Sequence, residues 1–409
     1  MNFTFLHCAD LHLGSPLRGL SLKDETIAKR FAHASRDAFS DLITRAITER
    51  VAFVLISGDV YDGEWRDTAI GLFFARELSR LFREQIPVFI IHGNHDAKNV
   101  VTNDITLPDN VTTFPVKIAK THKLETLNVA IHGRSFKERE ETENWAPHYP
   151  EPVNGFFNIG MLHTSCDGKP GHASYAPCTA QDLIAKGYDY WALGHVHQFE
   201  VLNENPHIVY PGNLQGRSIR ECGPKGAVFV DVQDGRVSEL RRVITDHARW
   251  AELVLDVSEH EDRDSLLSAV SQVFRPVVEE AEGRLVAARL RLTGPTILHR
   301  SLLADPSEFA VDALAAAQQN AEDIWIEKLQ IETSDLVQVA GEELAGIDLG
   351  ALLAGDSIEV LTQRLSEDIE MLKSKSSGAP LALDIGEAPC LIAEARALLL
   401  EKATNVEDH

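Results

Sequence analysis

The sequence predicts an α/β sandwich, followed by a small α+β module and a helical segment. Three observations lead there: short apolar runs that end in polar clusters, amphipathic stretches between the first of those runs, and later strand-like stretches with no long helix between them.

The apolar runs come first. Phe3 to Cys8 precede Asp10, Val51 to Ile56 precede Asp59, Pro87 to Ile91 precede Asn94, Phe156 to Leu162 precede His163, and Tyr190 to Leu193 precede His195. Runs of this length closed by Gly, Asp or Asn read as buried strands entering loops. Leu22 to Arg50 and Trp65 to Arg83 read as amphipathic helices between them. Asn128 to His132, His207 to Tyr210, Gly226 to Val232 and Arg236 to Val243 add strands and close a first segment at about residue 245. Residues 246–335 read as strand (Ala251 to Val257), helix (Asp262 to Glu280), strand (Leu285 to Leu292), helix (Leu302 to Gln318) and strand (Asp323 to Ile331). Residues 336–409 read as helical. There Ile358, Leu361, Leu365, Ile369 and Leu372 recur at helical steps, Lys373 to Pro380 forms a joint, and Leu391, Ile392, Ala395 and Leu398 to Leu400 mark a second helix.

Composition narrows the function. At 409 residues, with 44% hydrophobic and 25% charged residues, the chain is an ordinary globular protein of two or three domains. No apolar stretch reaches the roughly 18 residues of a membrane span, and Met1-Asn-Phe-Thr-Phe-Leu6 runs into a strand without a basic leader. The expectation is a cytoplasmic protein without a membrane partner. The cysteines at 8, 166, 178, 222 and 390 are too scattered for a zinc knuckle and read as reduced thiols. The net charge of -23 is unevenly spread: residues 1–250 hold 27 Lys+Arg against 31 Asp+Glu, and residues 251–409 hold 12 against 31. A phosphate substrate is therefore admissible on the first segment, more so if cations consume its carboxylates.

The polar clusters carry the chemistry. They are Asp10-Leu11-His12, Gly58-Asp59-Val60-Tyr61-Asp62, Gly93-Asn94-His95-Asp96, His163, and Gly194-His195-Val196-His197. Loops beyond the carboxyl ends of strands converge on one crevice in open α/β sheets. Asp, Asn and His without thiolate suit divalent Mn, Mg or Fe better than structural zinc. Two such ions can generate a hydroxide nucleophile and neutralise charge on a phosphoryl group during in-line attack, so phosphoester hydrolysis is the predicted reaction. Any one of these histidines alone reads more simply as a hydrogen-bonded loop residue, and only the joint pattern reverses that. His92 and His132 read as structural or supporting residues, and Asp62 and Asp96 read equally well as ties within their loops.

At these residues the chain resembles the calcineurin-like metallophosphoesterase superfamily, whose pattern is Asp-x-His, Gly-Asp-x-x-Asp, Gly-Asn-His-Asp/Glu, an isolated His, and Gly-His-x-His. The resemblance implies a four-layer αββα sandwich. It assigns Asp10, His12, Asp59 and His197 to one metal, and Asp59 (bridging), Asn94, His163 and His195 to a second. His95 would stabilise the attacked phosphate and protonate the leaving oxygen, with Asp96 or Asp62 orienting an imidazole nearby. Manganese is the first choice of ion, with magnesium or iron as alternatives.

Ala9 to Gly14, Gly58 to Asp62, Tyr210 to Arg217 and Cys222-Gly-Pro-Lys-Gly226 are similar to the DNA-repair nuclease branch typified by SbcD, and to its YhaO-like exonucleases. That narrower likeness implies a nuclease domain over 1–245, a capping domain over 246–335 that helps admit DNA, and a C-terminal segment over 336–409 that docks on an SbcC-like coiled-coil ATPase. It also allows a homodimer. Arg217, Arg220 and Lys225 are candidate phosphate grips, with Asn213 beside them. The plainer reading of Tyr210, Asn213 and Arg217 is a rigid hairpin, since Pro211-Gly-Asn213 is first a turn signal. Two rival functions stay open: a small-molecule phosphodiesterase or phosphatase, and a scaffold subunit that anchors an ATPase.

Overall fold

The computed structural model describes residues 1–15, 25–62, 68–97, 105–168 and 175–335, with 343–344 and 347–348. The expected C-terminal helices, the joint at Lys373 to Pro380 and Cys390 lie outside the described residues, as do positions 22–24 and 65–67 at the starts of two expected helices. The chain forms two compact units, Met1–Ala251 and Glu252–His409. Among the described residues, no helix is long and apolar enough to cross a membrane.

In chain order the first unit holds β1 (Phe3–Cys8), α1 (Glu25–Thr48), β2 (Phe53–Ser57), α2 (Thr68–Arg83), β3 (Val88–Ile91), β4 (Val111–Thr113), β5 (Lys120–Leu124), β6 (Val129–Gly133) and β7 (Phe157–His163). There follow α3 (Ala180–Ala185), β8 (Tyr190–Gly194), β9 (Glu200–Glu204), β10 (His207–Tyr210), β11 (Gly226–Gln233) and β12 (Arg236–Ile244). Two six-stranded sheets result, in the orders β12-β11-β1-β2-β3-β4 and β5-β6-β7-β8-β10-β9. β1 to β4 run parallel in the first sheet, and β6, β7, β8 and β10 run parallel in the second.

Side-chain alternation along each strand builds the layers. In β2, Phe53 and Leu55 face the second sheet and pack with Phe5, Ile159, Met161 and Tyr190, whereas Val54 and Ile56 face Phe39, Leu42, Phe74 and Leu78 of the helices. A strand buried on both faces must be apolar at every position, which is why these runs lack a polar alternation. On the far side, Trp191, Leu193 and Ile208 pack under Leu183 of α3 with Trp145 and Tyr149. The result is the expected αββα layering. His7 and Ser57 are buried polar residues between the sheets, and the Ser57 hydroxyl donates to the Ala192 carbonyl at 3.0 Å. The His7 ring nitrogens lie 3.0 Å from the Tyr190 hydroxyl and 3.1 Å from the Leu193 carbonyl, and burial lowers its pKa to about 3.

The remaining elements are β13 (Ala248–Asp256), α4 (Arg263–Ala281), β14 (Leu285–Thr296), α5 (His299–Ala304), α6 (Pro306–Gln318) and β15 (Ile324–Asp335), with β13, β14 and β15 in one sheet, and then β16 (Glu343–Leu344) and β17 (Ile347–Asp348), a short antiparallel pair where a helical segment was expected. One expected helix, Leu302 to Gln318, is two. The break falls at Asp305-Pro306: the proline cannot continue a helix but suits its first turn, where the Asp305 carboxylate accepts the Glu308 amide at 2.8 Å.

Candidate metal centre

Parallel strands carry their polar clusters to the same end. Asp10 and His12 follow β1, Asp59 follows β2, Asn94 and His95 follow β3, His163 closes β7, and His195 and His197 follow β8. Backbone bonds lace these loops together: Asp10 N–H to Gly58 O (3.0 Å), His12 N–H to Asp59 O (3.0 Å) and Thr164 N–H to Gly194 O (3.1 Å). The His163 Nδ1 lies 2.9 Å from the Ser57 carbonyl, tying the second sheet to the first. Gly194 has to be glycine here, because a β-carbon would collide with the Ser57 carbonyl oxygen. Asp10, His12, Asp59 and His195 all have positive φ, from 42° to 100°. Left-handed backbone at non-glycine residues costs about 1–3 kcal/mol each and is tolerated where packing over-determines it, so the loops are held in place before any ligand arrives.

The side chains converge. Asp10, His12 and His197 each offer a ligand atom within 4.8 Å of the others, as do Asp10, Asp59 and His163. The Nε2 atoms of His12 and His197 face each other at 3.2 Å. Asp59 stands between the groups, with Oδ2 3.8 Å from His12 Nε2 and 3.4 Å from His163 Nε2, and Asn94 Oδ1 is 3.0 Å from that same His163 nitrogen. His195 gives its backbone N–H to the Asp10 carboxylate and sets its ring 5.3 Å from that of His163. Buried carboxylates need a partner of opposite charge, which a protonated imidazole or a divalent cation can supply; beside Asp59 and Asp10 the His163 pKa rises to about 9 although burial works against its charge. Burial and the Arg217 charge hold the His12 imidazole well below its ordinary pKa, and its Nδ1 is a buried atom without a hydrogen bond. Such a donor set, free of sulfur, fits divalent cations.

His95 sits at the rim of this cluster, its ring 5.0 Å from that of His12. Its Nδ1 is 2.8 Å from Asp62 Oδ1, and its backbone N–H donates to Asp59 Oδ1 at 2.9 Å. Burial works against a charged ring there, but the Asp62 bond and the charges of Asp59 and Asp62 raise its pKa above the ordinary value. His12, Asp62 and His95 also lie close enough to form a third group of three donors.

Several expectations need correction. Asp96 does not orient an imidazole: its carboxylate accepts the Val60, Tyr61 and Gly93 amides at 3.0–3.1 Å and so pins two loops together. Asp62 is the partner of His95. Lys225 is not an exposed phosphate grip, because its ammonium is buried against the His197 carbonyl at 2.9 Å. Asn213 is likewise inward, giving its amide to Gln215 O and Glu221 Oε2 at 2.8 Å each. Arg217 is half-buried and paired with Glu221 at 2.9 Å, with Asp62 at 3.7 Å, while Arg220 is exposed. Tyr210 ties loops, its hydroxyl donating to Thr164 O at 2.8 Å and accepting the Cys166 amide at 3.0 Å. His132 is structural, hydrogen-bonded between Thr121 and Asn158 and stacked on Tyr188.

Glu221 was not among the expected site residues. The sequence signal was an acid four residues after Arg217, which reads as an ordinary surface pair until the loop folds back under His197.

Comparison with known proteins gives the family. Residues 3–199 match the calcineurin-like phosphoesterase family, and residues 250–334 match the middle domain of the metallophosphoesterase YhaO. An uncharacterized metallophosphoesterase YhaO of Bacillus subtilis is 36% identical over 343 residues, 82% of this chain and 83% of its own. The DNA double-strand break repair protein Mre11 of Thermoplasma acidophilum is 24% identical over 382 residues, 89% of this chain and 95% of its own. A dimetal phosphatase from Danio rerio has 14% identity and a TM-score of 0.36, covering 60% of this chain and 98% of that one, a likeness too loose to bear on the site. A sandwich that brings Asp10, His12, Asp59, His163 and His197 to one end, with a second unit matched by the YhaO middle domain, makes this chain a member of the YhaO family of calcineurin-like metallophosphoesterases.

Proposed function

We propose that this metallophosphoesterase is a DNA nuclease, hydrolysing phosphodiester bonds with the help of two divalent ions, manganese first among them. The observation that carries the chemistry is the Asp62–His95 pair at the mouth of the metal-ligand cluster. Asp10, His12 and His197 with Asp59 would hold one ion, and Asp59, Asn94, His163 and His195 the other. Bound there, the ions supply neutralising charge and lower the pKa of water. The protein's own part follows from geometry. Asp62, its Oδ1 2.8 Å from His95 Nδ1, is the ring's ion-pair partner on that side, so that Nε2 is the atom left to hand a proton to the departing 3′-oxygen. Arg217, with its charge directed at Asp62 and Glu221, keeps the pair in register, and Arg220 is the cation left exposed for a flanking phosphate.

DNA as the substrate draws support from the Mre11 likeness, which runs through most of that protein's length and includes the second unit. Docking on an SbcC-like ATPase through residues 336–409 belongs to the same proposal, as does a cytoplasmic location. The test compares linear duplex and single-stranded DNA with a generic aryl phosphodiester, in Mn²⁺. DNA should be the better substrate by a wide margin. Turnover of the aryl ester with DNA left intact would favour the small-molecule phosphodiesterase. Deleting residues 340–409 should abolish ATPase association and leave nuclease activity unchanged.

A further inference from the structure

We infer that Glu221 is a positioning residue for His197, fixing which imidazole nitrogen faces the metal-ligand cluster. The inference rests on the reading of His197 as a metal ligand. The Glu221 carboxylate lies behind the ring: Oε1 is 2.8 Å from His197 Nδ1, while the opposite nitrogen, Nε2, points at His12 Nε2 and lies 3.9 Å from Asp10 Oδ1. A carboxylate only accepts hydrogen bonds, so the Nδ1 it touches carries a proton, and in the neutral ring Nε2 is then the electron-pair donor. This is the arrangement in which a carboxylate sets the tautomer and orientation of a ligating histidine.

Glu221 is itself held from several sides. Arg217 gives it Nη2 (2.9 Å to Oε1), Nε and its backbone N–H (2.8 Å to Oε2), and Asn213 gives its amide to Oε2 at 2.8 Å. Arg217 Nη2 also comes within 3.1 Å of His197 Nδ1. Both are donors that fork on the one oxygen Oε1. The competing arrangement, in which Nδ1 accepts from Arg217 and the proton sits on Nε2, would point a hydrogen into the cluster and prevent ligation through that atom. The surroundings argue for the first. The His197 carbonyl is fixed by the Lys225 ammonium at 2.9 Å, so backbone and ring are both set by the one stretch from Asn213 to Lys225. The polar side chains of this turn hold a ligand histidine from behind.

Two measurements on the full chain test this. Nitrogen-15 NMR of the metal-free protein should show His197 with its proton on Nδ1, and Glu221→Gln should shift it toward a mixture of tautomers. Calorimetric titration with Mn²⁺ should show one site weakened about 10–100-fold in Glu221→Gln, the other unchanged, and Glu221→Asp recovering part of the loss. A wild-type His197 protonated on Nε2, or Glu221→Gln binding both ions as tightly as wild type, overturns the inference. The tautomer measurement needs no variant, so it decides even if Glu221→Gln folds poorly. Manganese binding that depends on Glu221 in a protein that cleaves no DNA would defeat the nuclease proposal and leave this inference standing.

Discussion

The Nδ1 atom of His95 lies 2.8 Å from Oδ1 of Asp62, and Asp62 in turn accepts the Ser15 hydroxyl at 2.7 Å. A histidine at the rim of a buried ligand cluster is thereby held in one orientation by a carboxylate that itself has fixed partners. For His95→Ala we predict a fall in turnover of about 10²–10⁴-fold, the usual span for a lost general acid, with both ions retained. Metal analysis alongside kcat checks it. A variant that loses its ions would make His95 a ligand.

Asp62→Asn keeps the shape and removes the charge. The amide can still meet Nδ1, but its charge no longer favours a protonated ring, so the alkaline limb of the rate profile should move to lower pH. The measurement is kcat against pH for the two proteins. Superimposable limbs would show that Asp62 only ties down its loop.

Asp59→Ala removes a carboxylate that lies 3.8 Å from His12 Nε2 and 3.4 Å from His163 Nε2. Affinity for both ions should fall together. Isothermal titration that finds either site at full strength would contradict the bridging position.

Asp96→Ala strands three backbone amides, those of Val60, Tyr61 and Gly93, away from water. Buried donors left unpaired cost about 1–3 kcal/mol each, and with partial relaxation we expect a loss of about 3 kcal/mol in urea unfolding. A variant as stable as wild type but inactive would return Asp96 to the chemistry.

His7 and His132 supply a pH prediction. Burial lowers their pKa values to about 3 and about 4, from 6.5. A folded pKa below the unfolded one means that the unfolded chain takes up protons first. The stability they lend is full above pH 6.5 and is lost as pH falls toward 4 and then 3, with a slope of up to about 1.4 kcal/mol per pH unit for each histidine. His7→Gln should be less stable at pH 7 yet lose stability less steeply on acidification. Parallel curves for the two proteins would contradict this.

The convergence of the candidate ligands was legible in the sequence because each stands where an apolar strand gives way to a loop. The runs before Asp10, Asp59, Asn94, His163 and His195 are strands, and parallel pairing carries their ends to one place. The direction in which a loop side chain turns was not legible. Asp62 and Asp96 look alike as acids in adjacent clusters, but one reaches His95 and the other folds back on amides. Lys225 and Asn213 likewise read as residues beside a turn, but the fold buries both, one against the His197 carbonyl and the other against Glu221. The division of Leu302 to Gln318 was written in Pro306, which stands inside an otherwise continuous helical pattern.

Anomalous diffraction from crystals soaked in Mn²⁺ would locate the ions. Two peaks are expected in one cleft, one beside Asp10, His12 and His197, the other beside Asn94, His163 and His195, with Asp59 touching both. A single ion, or manganese found only elsewhere on the protein, would rule out the two-ion centre.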